Sequence, residues 1–274
     1  MTPRFRRAVP TLVGCLAVAI YLFPLYWMAI SGLKNQAEIF ADPPSFFPRQ
    51  PTFEAFRYVI VHDNMARYIR NSLAIAVPVT LVTVVLGAMG AYALSRLRSR
   101  LVDAALIAVL LLQVFPEALL ATPVFILAKA FGLLNSYVSV ILATSGRSVA
   151  FGLVILRPMF RQVPRELEEA SCVDGCSELQ TFCRIVLPLV RVPLMVVAVI
   201  TFAHAYGQFI YPLTLLNRQE LQPGTVGIFS FLGTDFSDWH KLMAFTTVFV
   251  APILVLFLAL QRQIVSGLTA GALK

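Results

Sequence analysis

The densest group of carboxylates in this sequence is Glu166, Glu168 and Glu169, directly after Pro164. Proline favours the first turn of a helix, where the helix dipole also favours negative side chains. We therefore expect a helix to begin here with its acidic residues exposed. Such a cluster is suited to ion pairs with a cationic protein, whereas it would be repelled by anionic lipid headgroups. It predicts a docking contact with a partner protein.

A second helix is predicted immediately after the first. Gly175 provides a stop and a turn, and Ser177 with Gln180 has the spacing of a capping box. Pro188 is expected to close this second helix. Apolar residues at helical spacing predict one buried face on it. That face consists of Leu179, Phe182, Cys183 and Val186.

Two isolated charges, Glu117 and Arg147, interrupt long apolar stretches. A charge at the bilayer centre costs about 2.5–3.5 kcal/mol on insertion scales, so such residues pair or face water. Counting along the two helices places both near mid-depth. Three interpretations stay open: a structural ion pair, contact with a transported solute, or snorkelling towards the lipid surface.

Further polar groups follow near the outer half of a later apolar stretch, at His204, Tyr206 and Gln208. An aromatic ring with amide donors suits stacking on a sugar face and hydrogen bonding to its hydroxyls. The alternative is an interfacial aromatic residue with helix–helix hydrogen bonds. We take Glu117, Arg147 and these three residues as candidates for a translocation path.

The composition indicates that lipid surrounds the elements that position these groups. The chain has 58% hydrophobic and 13% charged residues, against about 25% charged in soluble domains. Runs of roughly 20 residues without a charge are long enough to cross a membrane. The prediction is an all-α integral membrane protein of one domain, 1–274, with six transmembrane helices. Their approximate positions are 9–32, 71–95, 104–128, 136–157, 192–216 and 242–261.

The distribution of basic residues predicts the orientation. Lysines and arginines are more numerous in the segments that lie inside if the N-terminus is cytoplasmic. The net charge of +8 is then explained by loop arginines, and no nucleic-acid partner is expected. Both termini, a loop at 160–188 and a tail at 263–274 are predicted to be cytoplasmic. The first span follows basic residues but is too long for a signal peptide, so we expect an uncleaved anchor.

The sequence argues against catalysis. It contains no Gly-Lys dipeptide and therefore no Walker A loop for ATP phosphates. No zinc-protease or nucleophile-elbow motif occurs either. The clustered cysteines Cys172, Cys176 and Cys183 have no nearby histidine and do not form a zinc signature. We expect no enzyme activity, no metal and no cofactor in this chain.

The 160–188 loop resembles the EAA motif of permease subunits in ATP-driven (ABC) importers. The family pattern is Glu-Ala-Ala, three residues, Gly, nine residues and Ile-x-Leu-Pro, and the spacing here matches it without a gap. Ser171 stands where the pattern has its second alanine. The residues that carry the resemblance are Glu169, Ala170, Ser171, Asp174, Gly175, Phe182, Ile185, Leu187 and Pro188. The flanks of the loop and the C-terminal Gly267–Gly271 resemble the carbohydrate-uptake, maltose-type, binding-protein-dependent branch.

The resemblance implies a permease in the inner membrane of a bacterium that forms half of a translocation pathway for a sugar or sugar derivative. Its implied partners are a second permease subunit, two ATPase subunits that bind ATP and Mg, and an extracytoplasmic solute-binding protein. The motif glutamate, here Glu169, would pair with an arginine of the ATPase. Two alternatives remain: an ion-coupled secondary transporter that uses Glu117, Arg147 and His204, or an ABC permease for a non-sugar solute.

Overall fold

The computed structural model describes residues 3–97, 99–231 and 238–272, and the regular structure within these ranges is helical. The α-helices are α1 Pro3–Ser31, α2 Gln36–Ile39, α3 Glu54–Val61, α4 Met65–Arg96, α5 Arg100–Val114, α6 Glu117–Ala130, α7 Tyr137–Arg161, α8 Arg165–Val173, α9 Glu178–Thr181, α10 Leu187–Leu189, α11 Arg191–Tyr206, α12 Ile210–Leu215, α13 Gly224–Gly227 and α14 Trp239–Ala272. A π-helix, Phe182–Val186, joins α9 to α10, and 3₁₀ turns occupy Gln219–Leu221 and Ile228–Phe231.

The chain divides into two compact units, 1–69 with 227–252 and 70–226 with 253–274. In the first unit, α3 and the adjoining ends of α4 and α14 form a small core. Val59 and Phe245 are fully buried there, and Phe245 packs edge-on against Tyr68 with ring centroids 5.4 Å apart. Gly32 approaches the backbone of Ala244, where an added Cβ would lie 3.0 Å from the Ala244 nitrogen. A larger side chain at Gly32 would force these elements apart.

The segment between α1 and α3 is organised by a buried glutamate, Glu38. Its Oε1 accepts hydrogen bonds from the Arg49 backbone N–H and the Ser45 hydroxyl, both at 2.8 Å. These donors and the nearby Lys34 ammonium lower the pKa of the Glu38 carboxyl, with the Arg49 N–H as the largest cause. Helix α2, which is capped by Asn35, lies within this segment.

The core of the second unit lies where α4, α7, the π-helix and α11 meet. Its fully buried side chains include Leu156, Phe160 and Val186. From this core towards the N-termini of α4 and α7, these two helices come close at two glycines. A Cβ built on Gly87 would lie 3.5 Å from the Cα of Gly152. Small residues at such a crossing let membrane helices pack backbone to backbone.

Four described helices are long and apolar enough to cross a membrane: Thr11–Ser31 within α1, α4, α7 and Trp239–Gln261 within α14. A fifth candidate is the pair Glu178–Leu189 and Arg191–Tyr206, which is bent by 81° at its break. The fold is therefore that of an all-α membrane protein with four to five candidate spans, compared with the six predicted.

The difference lies in two predicted spans that the structure divides. The third, 104–128, is split between α5 and α6 at Phe115 and Pro116, because proline cannot donate the helical hydrogen bond. The fifth, 192–216, stops at Tyr206 and resumes as α12 after Phe209. At the C-terminus, the predicted tail at 263–274 continues α14 as far as Ala272. Residues 273 and 274 of that tail lie outside the described residues.

Candidate functional site

The 160–188 loop contains the predicted helix–turn–helix, and its turn is built from backbone hydrogen bonds. Gly175 has φ +82°, and its N–H donates to the Cys172 carbonyl at 3.1 Å. The next N–H, from Cys176, donates to the Ser171 carbonyl at 3.0 Å, which completes a Schellman motif. Ser177 and Gln180 then form the predicted capping box. The predictions for the turn and for the second helix start are thus confirmed.

Helix α8 is fixed to the bundle by one of its three glutamates. Glu168 forms an ion pair with Arg96 at the end of α4 and accepts a hydrogen bond from the Tyr92 hydroxyl at 3.0 Å. Arg96 also donates to the Phe160 carbonyl at 3.1 Å. The expectation that all three glutamates face a partner is therefore wrong for Glu168. Glu166 and Glu169 are exposed.

The serine that replaces the second alanine of the motif joins the two helices of the loop. Ser171 is 2% exposed, and its hydroxyl lies 2.7 Å from the hydroxyl of Thr181, which is equally buried. The Ser171 hydroxyl also donates to the Glu168 carbonyl. This buried pair fixes the rotation of α9 against α8.

That rotation corrects the predicted apolar face of the second helix. Phe182 and Val186 are buried as expected, but Leu179 is 64% exposed and Cys183 is also exposed. The buried face is turned towards Thr181, because the Thr181 hydroxyl forms a hydrogen bond with Ser171 of α8. A period of 3.6 residues alone placed the face on the wrong side of Phe182.

The π-helix has a local cause in Pro188. Proline has no N–H, so the Arg184 carbonyl four residues earlier lacks its helical donor. The turn before it widens, and the Leu187 N–H donates to the Phe182 carbonyl five residues earlier. Phe182 is thereby held in an aromatic cluster with Tyr92 and Phe160, at ring-centroid distances of 5.0 and 6.2 Å.

The residues of the EAA-like pattern fall into two groups by exposure. Ser171 and Phe182 are buried within the chain, and Ile185 and Leu187 are partly buried. The exposed group consists of Glu169, Ala170, Asp174, Gly175 and Pro188. Only the exposed group is available to a partner in this arrangement.

The predicted pairing of Glu117 with Arg147 is present, but it is not the main contact of the arginine. Their closest atoms, Arg147 Nη1 and Glu117 Oε1, are 3.7 Å apart. Arg147 donates at shorter distances to two backbone carbonyls, those of Gln113 at 2.6 Å and Phe115 at 3.1 Å. These carbonyls lie at the break before Pro116. Arg147 therefore satisfies backbone acceptors that the interruption of the helix leaves without donors.

His204 and Gln208 complete this group, and we call Glu117, Arg147, His204 and Gln208 the polar cluster. Glu117 Oε1 is 3.4 Å from His204 Nε2, and its Oε2 accepts from the Gln208 amide at 3.3 Å. The Gln208 oxygen accepts from the backbone N–H groups of Phe209 and Ile210 at the start of α12. Four of the five predicted path residues thus come together from three separate apolar stretches.

The fifth path candidate, Tyr206, lies on the packed side of its helix. It is 1% exposed and stacks on Phe202 with ring centroids 5.8 Å apart. A sugar could contact this ring only after the helices separate.

A cavity of about 210 Å³ lies beside the polar cluster. Arg147 and His204 line it together with Gln113 and Thr201. The Thr201 hydroxyl is buried and has no hydrogen-bond partner among the described residues. The lining combines the polar side chains of Arg147, His204 and Gln113 with the apolar Phe151 and Ile200, and it contains no nucleophile with a paired general base.

Sequence reasoning missed two contacts of these sites. Gln113, whose amide donates to the Arg147 carbonyl at 2.9 Å, was not considered because glutamine carries no charge. In the sequence, Arg96 has the pattern of a loop arginine that contributes to the orientation. Its position as the first cation after a long apolar run was the available signal, but nothing in the sequence identified Glu168 as its partner. Among the described residues, no group of His, Cys, Asp and Glu is arranged to hold a metal ion.

Comparison with known proteins identifies the family. Residues 83–269 match the model of the binding-protein-dependent transport system inner membrane component. The diacetylchitobiose uptake system permease protein DasC of Streptomyces coelicolor is 32% identical over 98% of both chains. The trehalose/maltose transport system permease protein MalG of Thermococcus litoralis is 32% identical over 96% of this chain and 95% of its own.

A solved structure shares the fold. A chain of a bacterial ABC transporter involved in the import of the acidic polysaccharide alginate superposes with a TM-score of 0.76 at 18% identity, over 94% of this chain and 96% of that one. Residues 83–269, which match the family model, contain both the 160–188 loop and the polar cluster. The ion-coupled alternative is thereby overturned, and the permeases of this family have no ATPase site or cofactor of their own. The chain belongs to the family of binding-protein-dependent ABC transporter permeases, the multi-pass inner-membrane components of these systems.

Proposed function

We propose that this permease imports a sugar or oligosaccharide and that a separate ATPase drives it through the exposed face of the 160–188 loop. The supporting observation is the division of that loop into an anchored side and a free side. Glu168, Ser171 and Phe182 attach it to the bundle, whereas Glu169 is exposed. Val173 is 89% exposed, and Leu179 is 64% exposed. A surface that combines a carboxylate with exposed apolar side chains suits a protein partner.

The anchored side explains how force on the loop would reach the membrane helices. Through Arg96, Glu168 connects α8 to the end of α4 and to the last turn of α7. Phe182 packs on Tyr92 of α4 and Phe160 of α7. A movement of α8 would therefore pull on two helices that are long enough to span the membrane.

The proposed topology has six spans and places both termini and the 160–188 loop in the cytoplasm. In this arrangement α5 and α6 together form the third span, broken at Pro116, and α11 forms most of the fifth. Exposed apolar side chains on α5 and α6, including Leu111 and Leu119, support a lipid-facing or subunit-facing role for both. The assembly would contain a second permease, two ATPase subunits and an extracytoplasmic binding protein.

The polar cluster is proposed to line the translocation path at the break in the third span. His204 is half-exposed, and Gln113, Arg147 and His204 in the lining of the adjacent cavity are groups that can hydrogen-bond to a hydroxylated solute. The substrate class is supported by the relatives, which are named for diacetylchitobiose and trehalose/maltose. A further solved complex of the alginate transporter includes a periplasmic protein bound to an alginate pentasaccharide.

The experiment that tests the proposal is charge reversal at Glu169. Glu169→Lys is expected to abolish solute uptake and to uncouple or release the ATPase, while membrane insertion stays normal. Glu220→Lys, a reversal at an exposed site outside the loop, is the matched control and should transport normally. Full transport by Glu169→Lys would count against ATPase coupling through this face.

A further inference from the structure

An open recess of about 850 Å³ lies at the end of the bundle where α8 begins, apart from the polar cluster. Four arginines line it: Arg96, Arg100, Arg161 and Arg165. The carboxylates in its lining are Asp103 and Glu166. Four positive and two negative charges leave an excess of two positive charges.

The arginines of this arginine recess differ in how far they are engaged. Arg96 pairs with Glu168, and Arg161 lies 3.6 Å from Asp103, which forms a closer ion pair with the buried Arg157 at 2.7 Å. Arg165 donates to a backbone carbonyl, that of Arg96, at 2.8 Å. Arg100 is exposed, and no ion pair joins it to a carboxylate in the described part of the chain.

Two helices also begin at the recess. Arg100 is the first residue of α5, and Arg165 is the first residue of α8, whose preceding Pro164 provides no side-chain cap. The N-terminal N–H groups of a helix and its dipole favour an anion. Asp103 and Glu166 lie in these first turns and meet part of this preference. The excess positive charge of the arginines is therefore available to bind an added anion.

The position of the recess identifies the kind of anion. Arg96 ends α4, and Arg161 ends α7, so the arginines lie where two candidate spans leave the apolar region. Leu97 and Leu101, which flank Arg100 in the chain, are 52% and 81% exposed. Arginines beside exposed leucines at a span end match a molecule with a charged phosphate and an acyl chain. A free phosphate would use only the arginines.

We propose that the arginine recess binds the phosphate of an anionic phospholipid, whose acyl chains lie along the exposed Leu97 and Leu101. Basic pockets between helices at the membrane surface are known to hold lipid headgroups in this way. The site depends on the chain being embedded in a membrane and does not require that Glu169 be the coupling residue. Its test can therefore fail independently of the transport proposal.

The test measures lipid binding to the purified full-length chain in neutral detergent by native mass spectrometry. Dioleoyl phosphatidylglycerol and dioleoyl phosphatidylcholine are titrated separately, each with and without millimolar inorganic phosphate. The variants are Arg100→Gln and the double variant Arg100→Gln/Arg165→Gln. Arg191→Gln, which removes an exposed arginine outside the recess, is the control of equal charge for Arg100→Gln.

The unmodified chain should prefer phosphatidylglycerol. Arg100→Gln should weaken that binding about fivefold, from about 1 kcal/mol per basic residue near a lipid surface. The double variant should weaken it further, and Arg191→Gln should not change it. Circular dichroism and gel filtration of each variant show whether it is folded. If the double variant does not fold, Arg100→Gln and its control Arg191→Gln carry the test.

Two results would overturn the proposal. An equal loss of phosphatidylglycerol binding in Arg100→Gln and Arg191→Gln would mean that the preference reflects net charge and not the recess. Displacement of the lipid by inorganic phosphate, which then binds by itself to the unmodified chain but not to the double variant, would assign the recess to a soluble phosphate.

Discussion

Replacing Arg147 by methionine tests whether this arginine serves the backbone or the carboxylate. Methionine keeps most of the volume of the side chain and removes its hydrogen-bond donors. The carbonyls of Gln113 and Phe115 would lose donors at 2.6 and 3.1 Å, and Glu117 would lose a cation at 3.7 Å. The two hydrogen bonds to the carbonyls lie at the helix break, whereas the contact with Glu117 is an electrostatic one at longer range.

The magnitudes separate the two roles. A hydrogen bond to a charged group contributes about 1.5–3 kcal/mol, and an ion pair open to solvent contributes up to about 1 kcal/mol. The Arg147 side chain is 28% exposed, so solvent reduces the first figure. We expect Arg147→Met to lower the free energy of unfolding by about 2–3 kcal/mol and Glu117→Gln to lower it by about 1 kcal/mol or less.

The assay is equilibrium unfolding of the purified chain from mild detergent into sodium dodecyl sulfate, followed by circular dichroism. The double variant Arg147→Met/Glu117→Gln completes a thermodynamic cycle. If the carbonyls dominate, this double variant remains as unstable as Arg147→Met. Recovery of most of the lost stability would mean that an unpaired Glu117 caused the loss, and the backbone role would be refuted. Exchanging the two residues cannot restore stability, because a carboxylate at position 147 has no proton to donate to the carbonyls.

Three further outcomes are expected. Gly175→Ala should reduce uptake and lower stability by about 1 kcal/mol, since Gly175 has φ +82° in open space; normal uptake would contradict this. Ser171→Ala should destabilise by about 1 kcal/mol in the same unfolding assay, and Thr181→Val should relieve that loss because both hydroxyls are then absent. The lowered pKa of Glu38 stabilises its segment above the unfolded pKa of the group. Proteolysis of that segment should therefore increase as pH falls through the folded value, and Glu38→Gln should remove this pH dependence.

Local rules were sufficient wherever a feature depends on neighbours in the chain. The apolar runs predicted α1, α4, α7 and α14, because a membrane helix must satisfy its backbone within one continuous segment. The glycine turn and the capping box at Gly175 and Ser177 were predicted because both motifs close within a few residues. The EAA-like pattern also lies within one continuous loop, so its resemblance to the family could be recognised from the sequence.

Contacts between distant residues were decided only by the tertiary structure. The sequence placed Glu117 and Arg147 at similar depths. Whether the arginine binds the Glu117 carboxylate or the backbone carbonyls of Gln113 and Phe115 depends on the rotation and packing of three helices. The same holds for Glu168. Nothing in the sequence distinguishes it from its exposed neighbour Glu169, and only the fold places Arg96, at the end of α4, beside it. Helical periodicity determines which residues share a face, and packing determines which face is buried.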